Sequence, residues 1–530
     1  DLLHAMQALY QLSYSPLWCA ARLVSLTPGP LAATQRTLRG PPGNLQIDCP
    51  TTARERDARR VASAVVTLTV TAQPRPRGVP WAAAAACLLS FAAFWLAQRA
   101  ADVNLLDLSV YRAEGETVLS GGDLYALRVT SANLPTTYPP FAALLFTPLT
   151  LVGVPEMQVL ATLANLLLLV ALAHLSLRLV RLGPPGRGGR VTAWAARPRA
   201  ALWLAAVVVW CEPVWQTFRY GQINLLIAVA VLGDLTRREG SRWAGVGIGL
   251  ATAVKLTPGL FVVFLVLAGA ARARSGGQAE WWNPWLRQAA RATGTFLVVT
   301  VASHLVLPYD SRRFWTEMIF ETSRVGRTEE TANQSLSGVV ARLLHTTDPG
   351  VWWVVAAVPV AVLGLVVAVR AALRGDRPVA VVACATTGLL VSPISWSHHW
   401  VWCVPVLVLL AVRARPVWAV AAALVFASNA LWWVPHAPAP VRLELHQTPG
   451  QMLLSALYTL LGTGLLATLA VRRRGRTPGD TAGAPPDTAG LPVSGSGPGA
   501  GRSEVGSAAP RVVAGQPETG EGGSQAVAKE

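Results

Sequence analysis

The run VWWVVAAVPVAVLGLVVAV, Val351–Val369, holds no charged side chain and ends at Arg370. A helix of about 20 mostly apolar residues spans the hydrocarbon core of a bilayer, with about 17 as the lower limit. Apolar runs recur at Ala200–Trp210 and Ala292–Leu307. Across the 530 residues, 52% are hydrophobic and only 14% charged, against roughly 25% charged in soluble proteins. A soluble chain of this length would divide into domains with polar surfaces. The sequence therefore reads as an all-α polytopic integral membrane protein.

The expected spans are 80–97, 156–180, 200–216, 222–235, 243–254, 256–271, 292–308, 351–369, 379–393, 400–412, 416–434 and 450–471, about twelve transmembrane helices. Arginine sets their orientation, because cytoplasmic loops carry an excess of basic residues. Arg181, Arg187, Arg190, Arg197 and Arg199 share one loop; Arg237, Arg238 and Arg242 the next; then come Arg272 to Arg291, Arg370 to Arg377, Arg413 with Arg415, and Arg472 to Arg476. All fall on one side if both ends of the core are cytoplasmic. This placement accounts for the formal charge of +17 without nucleic acid as a partner. The other face receives 98–155, 217–221, 309–350, 394–399 and 435–449. Phe141–Val152, apolar but short between Pro139-Pro140 and Pro155, is then an interfacial or re-entrant helix on the outer face. The stretch Trp243–Ala271, basic at both ends, must turn back near Lys255–Pro258.

Residues 1–79 show no clear period and are expected to form an N-terminal extension, disordered or not native sequence. The tail 472–530, rich in Gly, Pro, Ala, Ser and Thr without aromatics beyond Gly475, is expected to be disordered and cytoplasmic. Four of the six cysteines lie in or beside apolar runs, and no CxxC pair exists, so neither a disulfide framework nor a zinc site is indicated.

The residues able to carry chemistry collect in the outer segments. Asn104-Leu-Leu-Asp107-Leu-Ser-Val-Tyr111-Arg112 follows the first span and leads through Gly121-Gly122-Asp123-Leu-Tyr125 to Thr137-Tyr138-Pro139-Pro140. An acid where a helix leaves the bilayer meets both lipid substrate and water, so Asp107 could serve as general base to a hydroxyl. On spacing alone the plainer reading is an interfacial acid that caps a helix. Tyr111, Arg112, Asp123 and Tyr138 are the candidate substrate contacts beside it. Lys255 interrupts an apolar stretch; in lipid it needs a partner, either a phosphate or the interface to which a lysine snorkels. His398 and His399, in Ser392-Pro-Ile-Ser-Trp-Ser-His-His-Trp400, lack the HxxxH or HExxH spacing of a metal site. They suit phosphate or sugar, or form part of an interfacial aromatic belt. Gln222, Asn224, Asn333 and Gln334 offer amides that match sugar hydroxyls.

Taken in order, DLSVYR (Asp107–Arg112), GGDLY, YPP, YGQIN (Tyr220–Asn224), GLATAVKLTP (Gly249–Pro258), NQS and SPISWSHHW resemble the polyprenyl-phosphate-mannose-dependent α-mannosyltransferases of glycosyltransferase family 87. The similarity runs from about 80 to 471, so the core 80–471 is expected to be one catalytic domain. It implies a GT-C fold with interfacial helices on the outer face of the cell membrane. It also implies a β-linked polyprenyl phosphate mannose donor and a mannosylated glycolipid or lipoglycan acceptor, without metal or other cofactor. By the same match Asp107 deprotonates the acceptor hydroxyl, transfer inverts the anomeric centre, and His398 and His399 face the leaving phosphate; Lys255 joins them as a candidate on its own position in the apolar stretch. The rival readings are a lipid-linked-sugar transferase of other sugar specificity and a transporter or flippase of lipid-linked sugars. A transporter often repeats a broken helix in both halves, and only Lys255–Pro258 shows such a break.

Overall fold

Proline marks where many of the helices begin, at the first-turn position where its missing N–H is no loss. The computed structural model describes residues 80–130, 132–184, 193–195, 197, 199–275, 281–437 and 441–471; the expected extension 1–79 and tail 472–530 lie outside them. The helices are α1 (Pro80–Ala100), α2 (Leu106–Ser120), α3 (Pro140–Phe146), α4 (Val154–Arg181), α5 (Ala200–Val208), α6 (Glu212–Tyr220), α7 (Asn224–Leu235), α8 (Val246–Val254) and α9 (Gly259–Ser275). They continue as α10 (Pro284–Val306), α11 (Pro308–Thr316), α12 (Leu336–Leu343), α13 (Gly350–Leu373), α14 (Arg377–Val391), α15 (Cys403–Arg413), α16 (Pro416–Ala427), α17 (Pro449–Ser455) and α18 (Leu457–Val471). A prolyl residue opens α3, α4, α6, α10, α11, α14, α16 and α17. The fold is mostly helical. A two-stranded antiparallel hairpin, β1 (Arg128–Val129) with β2 (Leu134–Pro135), pairs Arg128 with Pro135 between α2 and α3.

Among the described residues, four helices are long and apolar enough to cross a bilayer: α1, α4, α10 and α13. The count is six if the bent pairs α5–α6 (77°) and α17–α18 (70°) each make one crossing. Such a set belongs to a multi-pass membrane protein. The sequence expects about twelve, and the difference has a local cause. The expected spans 222–235, 379–393 and 416–434 form helices of 12, 15 and 12 residues, short of a straight crossing. Spans 200–216 and 450–471 each bend rather than run straight. On α13, Val351, Trp352, Val355, Val358 and Val362 are exposed. A stripe of this kind would be an aggregation hazard in water and is expected of a surface covered by lipid.

Phe141–Val152 forms α3 and a 3-10 turn, Thr147–Leu151, packed along α2. The expected turn at Lys255 is present: Lys255 is extended (φ −149°, ψ 127°) between α8 and α9. The four described cysteines, Cys87, Cys211, Cys384 and Cys403, are buried and free. The helices close on one large apolar core that includes Phe94, Leu169, Phe264 and Cys403. Gly364 lets α13 lie against Thr387 of α14 at a distance no side chain would allow.

Candidate active site

The site is built where α2 meets the turn between α6 and α7. α6 ends at Gly221, whose φ of 68° is the left-handed conformation that glycine adopts without strain. A Cβ there would meet the Cβ of Leu108 on α2 at 2.7 Å. Glycine thus brings the turn onto α2 and sets Gln222 beside Asp107, in the first turn of α2. Gln222 Nε2 donates to Asp107 Oδ2 at 2.5 Å. The amide is oriented from its other end, where Oε1 accepts from Tyr111 at 2.9 Å and from Tyr138 at 3.3 Å. Tyr111 lies one turn beyond Asp107 on α2. Tyr138 is held by the extended backbone that leads into Pro139-Pro140.

These groups line a cavity of about 670 Å³. Its wall includes Asp107, Tyr111, Glu114, Tyr138, Gln222, Lys255, His398 and His399. Lys255 Nζ lies 2.9 Å from His399 Nε2 and 5.4 Å from the centre of the Tyr138 ring. It also donates to Asn224 Oδ1 at 3.4 Å. Asn224 in turn donates to the backbone carbonyl of His398 at 3.2 Å. The His398 ring is buried, stands edge-on to Tyr220, and has no hydrogen-bond partner at Nε2. A small adjoining hollow of about 60 Å³ shares Lys255 and His399 and is lined by Asn224. Among the described residues no three His, Cys, Asp or Glu side chains gather as a metal cage requires.

Burial pushes the Asp107 carboxyl up to about 6, against the opposing effects of the Gln222 hydrogen bond and the Lys255 charge. At pH 7 it is mostly ionised, yet basic enough to take a proton from a hydroxyl in a transition state. Burial pushes Glu114 further, to about 8.

Seven of the expected site residues therefore share one cavity: Asp107, Tyr111, Tyr138, Gln222, Lys255, His398 and His399. Five do not line it: Asn224 lines the small adjoining hollow, and the other four point elsewhere. Arg112 turns away, donating to the carbonyls of Leu149 and Val152 at 2.6 Å each and pairing with Glu116; it clamps the turn after α3 to α2. Asp123 accepts from the amides of Tyr125 and Ala126 and pairs with Arg313 at 2.6 Å. Asn333 fastens the chain before α12 to the turn after α14, accepting from Ser395 N and donating to Pro393 O. Gln334 donates to Ser455 O and accepts from Tyr458 N. Each is an amide or charge spent on backbone groups or on a neighbouring charge outside the cavity.

Two wall residues escaped the sequence reading. Glu114 falls at i, i+4, i+7 with Asp107 and Tyr111, one helix face, and that spacing was available to find it. Arg324 lies outside any long helix, and no local pattern points to it.

A family model described as Glycosyltransferase family 87 matches residues 137–393. A polyprenol-phosphate-mannose-dependent alpha-(1-2)-phosphatidylinositol mannoside mannosyltransferase of Mycolicibacterium smegmatis is 33% identical over 392 residues, 70% of this chain and 85% of the relative. A protein of the same description from Mycobacterium tuberculosis is 33% identical over 316 residues, 58% of this chain and 70% of the relative. A polyprenol-phosphate-mannose-dependent alpha-(1-2)-phosphatidylinositol pentamannoside mannosyltransferase of Mycobacterium tuberculosis is 35% identical over 323 residues, 59% and 68% respectively. No solved structure matches the chain.

Proposed function

The chain belongs to glycosyltransferase family 87, and from that premise we propose that it transfers mannose from polyprenyl phosphate mannose to a mannosylated glycolipid or lipoglycan, with Asp107 as general base. The observation that carries the role of Asp107 is its hydrogen bond to Gln222 inside the 670 Å³ cavity. Gln222 occupies Oδ2 and leaves Oδ1 to accept an acceptor hydroxyl.

The step balances with one carboxylate. The hydroxyl proton passes to Asp107 as its oxygen bonds to the anomeric carbon from the face opposite the phosphate. The bond from that carbon to the phosphate oxygen breaks, and polyprenyl phosphate leaves. A phosphate monoester has its second pKa at about 6, so it departs without a general acid. It needs positive charge and donors, and Lys255 with His399 and His398 supplies them. Direct displacement of this kind inverts the anomeric centre.

We place the cavity on the outer face of the membrane, in a GT-C fold of about twelve crossings. Support comes from where the arginines lie. Arg178, Arg237, Arg238, Arg272 and Arg377 line a separate hollow of about 660 Å³ that shares no residue with the catalytic cavity. Basic helix ends of this kind mark the cytoplasmic side.

The experiment is transfer from radiolabelled polyprenyl phosphate mannose to mannosylated acceptors in membranes carrying the wild-type chain or Asp107→Asn. The variant should insert normally and lose at least about 100-fold in rate. Turnover close to wild type by Asp107→Asn would remove Asp107 from the mechanism. Transfer of another lipid-linked sugar in place of mannose would overturn the donor assignment.

A further inference from the structure

Glu114 sits two turns beyond Asp107 on α2 and lines the same cavity. It is 1% exposed, and its Oε2 has no hydrogen-bond partner. The Thr136 hydroxyl is near enough to favour its ionised form but does not pair with it in hydrogen-bond geometry. A buried carboxyl oxygen left unpaired carries its full desolvation penalty, so a ligand group in the cavity is the natural partner. Asp107 cannot be that partner. Seven residues of helix separate their α-carbons by about 10 Å.

The direction away from Asp107 identifies the ligand group. Lys255 interacts electrostatically with Asp107, whereas the charges that act on Glu114 come from Asp107. The Lys255 end of the cavity is tied to Asp107 through Tyr138 and Gln222, and Glu114 lies two turns further along α2. On the Glu114 side lies Arg324, with its side chain 8% exposed. It donates to the carbonyls of Tyr125 at 2.9 Å and Thr136 at 3.2 Å, and its Nε is buried without a partner. Thr136 therefore joins the two, with its hydroxyl toward Glu114 and its carbonyl toward Arg324. Glu321 and Glu330 line the cavity as well. A wall that mixes acids with one guanidinium suits a neutral polyol better than a second phosphate.

We propose that Glu114 and Arg324 form a second sugar subsite, holding the unit of the acceptor glycan next to the one whose hydroxyl reaches Asp107. The distance along α2 exceeds the reach of a single sugar ring, so the contact falls on the neighbouring unit. This assignment rests on the mannosyltransferase reading.

The test is calorimetric binding to the full chain in detergent, without donor. The probes are octyl α-mannoside and an octyl α-linked dimannoside. Wild type should bind the dimannoside about tenfold tighter, the worth of one to two hydrogen bonds. Glu114→Leu should abolish that preference while leaving the monomannoside affinity unchanged, Arg324→Met should reduce it, and Glu114→Gln should retain most of it because an amide still bonds a hydroxyl. Equal wild-type affinity for the two probes would overturn the subsite. So would an equal loss for both probes in Glu114→Leu and Arg324→Met, which marks a structural role. Because binding is read without donor, failure of wild-type mannosyl transfer would count against the proposed function alone.

Discussion

Gln222 reaches Asp107 with its amide nitrogen at 2.5 Å while Tyr111 and Tyr138 both hold its amide oxygen. Two hydroxyl donors on one oxygen fix which way the amide faces, so an N–H must point to the carboxylate. That N–H favours the ionised form of Asp107 and opposes the effect of burial. Gln222→Leu should therefore raise the Asp107 pKa above about 6. The loss in kcat/KM at pH 7 should be about 10- to 100-fold, partly recovered at higher pH. Rate–pH profiles of the two proteins check this; a uniform loss at every pH would assign Gln222 to substrate contact instead.

Wild-type kcat/KM should fall on the acid side with a midpoint near 6, where Asp107 takes up its proton. A general base is active only when deprotonated, so the rate rises through that pH; it falls again as Lys255, which burial lowers to about 7, loses the charge that the leaving phosphate needs. The measurement is mannosyl transfer between pH 4.5 and 8 at subsaturating acceptor. A profile flat down to pH 4.5 would separate the rate from this carboxylate.

The same shift has a consequence for stability. Asp107 titrates near 3.8 when exposed and near 6 in the folded protein, so the folded form binds the proton more tightly. The stability this gives is fully present below about pH 4 and is lost as pH rises through about 6. At pH 7 the buried charge costs on the order of 3 kcal/mol. Asp107→Asn should then be inactive yet more resistant to thermal unfolding in detergent at pH 7. The difference from wild type should vanish near pH 4. Equal midpoints at both pH values would contradict the burial argument.

Lys255 Nζ lies beside His399 and Asn224 at the cationic end of the cavity. Lys255→Met should reduce kcat/KM for the lipid-linked donor by about 10²- to 10³-fold, the scale of losing one preorganised group that stabilises developing charge. Lys255→Arg should recover little, because a guanidinium fork does not occupy the place of a compact ammonium. Steady-state kinetics with donor and acceptor varied separately check this. A defect confined to acceptor KM would move the phosphate elsewhere.

What the sequence reveals of this site follows from where its residues stand relative to the break points of the chain. Asp107, Gln222, Lys255 and His399 sit at or beside helix ends, in short motifs interrupting apolar runs, and such interruptions are visible without a structure. Arg112, Asp123, Asn333 and Gln334 stand in the same motifs but serve the backbone, and residue type alone does not separate the two uses. Glu114 shares a helix face with Asp107 and Tyr111 by spacing, but inside α2 it also reads as one more polar residue of an interfacial helix, and its burial decides between the two. The crossings show a comparable limit. Hydropathy locates the apolar helices, but the bends of 77° at α5–α6 and 70° at α17–α18 depend on packing, which a sliding window does not contain.

Gly221 links the fold to the chemistry, and its replacement separates two effects. Gly121 and Gly221 both close helices at φ near 70° (71° and 68°). Alanine at either position meets the left-handed strain, about 1–2 kcal/mol. At Gly121 nothing lies within 4 Å of an added Cβ, whereas at Gly221 the Cβ of Leu108 would be at 2.7 Å and that of Leu105 at 3.1 Å. Gly221→Ala must therefore also push the turn off α2, at a further cost of about 1–3 kcal/mol, and carry Gln222 away from Asp107. Gly121→Ala should lower the unfolding midpoint slightly and leave kcat/KM unchanged. Gly221→Ala should lower it further and reproduce the Gln222→Leu rate profile, with the acid limb moved to higher pH. Thermal unfolding with rate–pH profiles on both variants is the check. If the two alanines destabilise equally and both keep the wild-type profile, the close approach of the turn to α2 is not what positions Gln222.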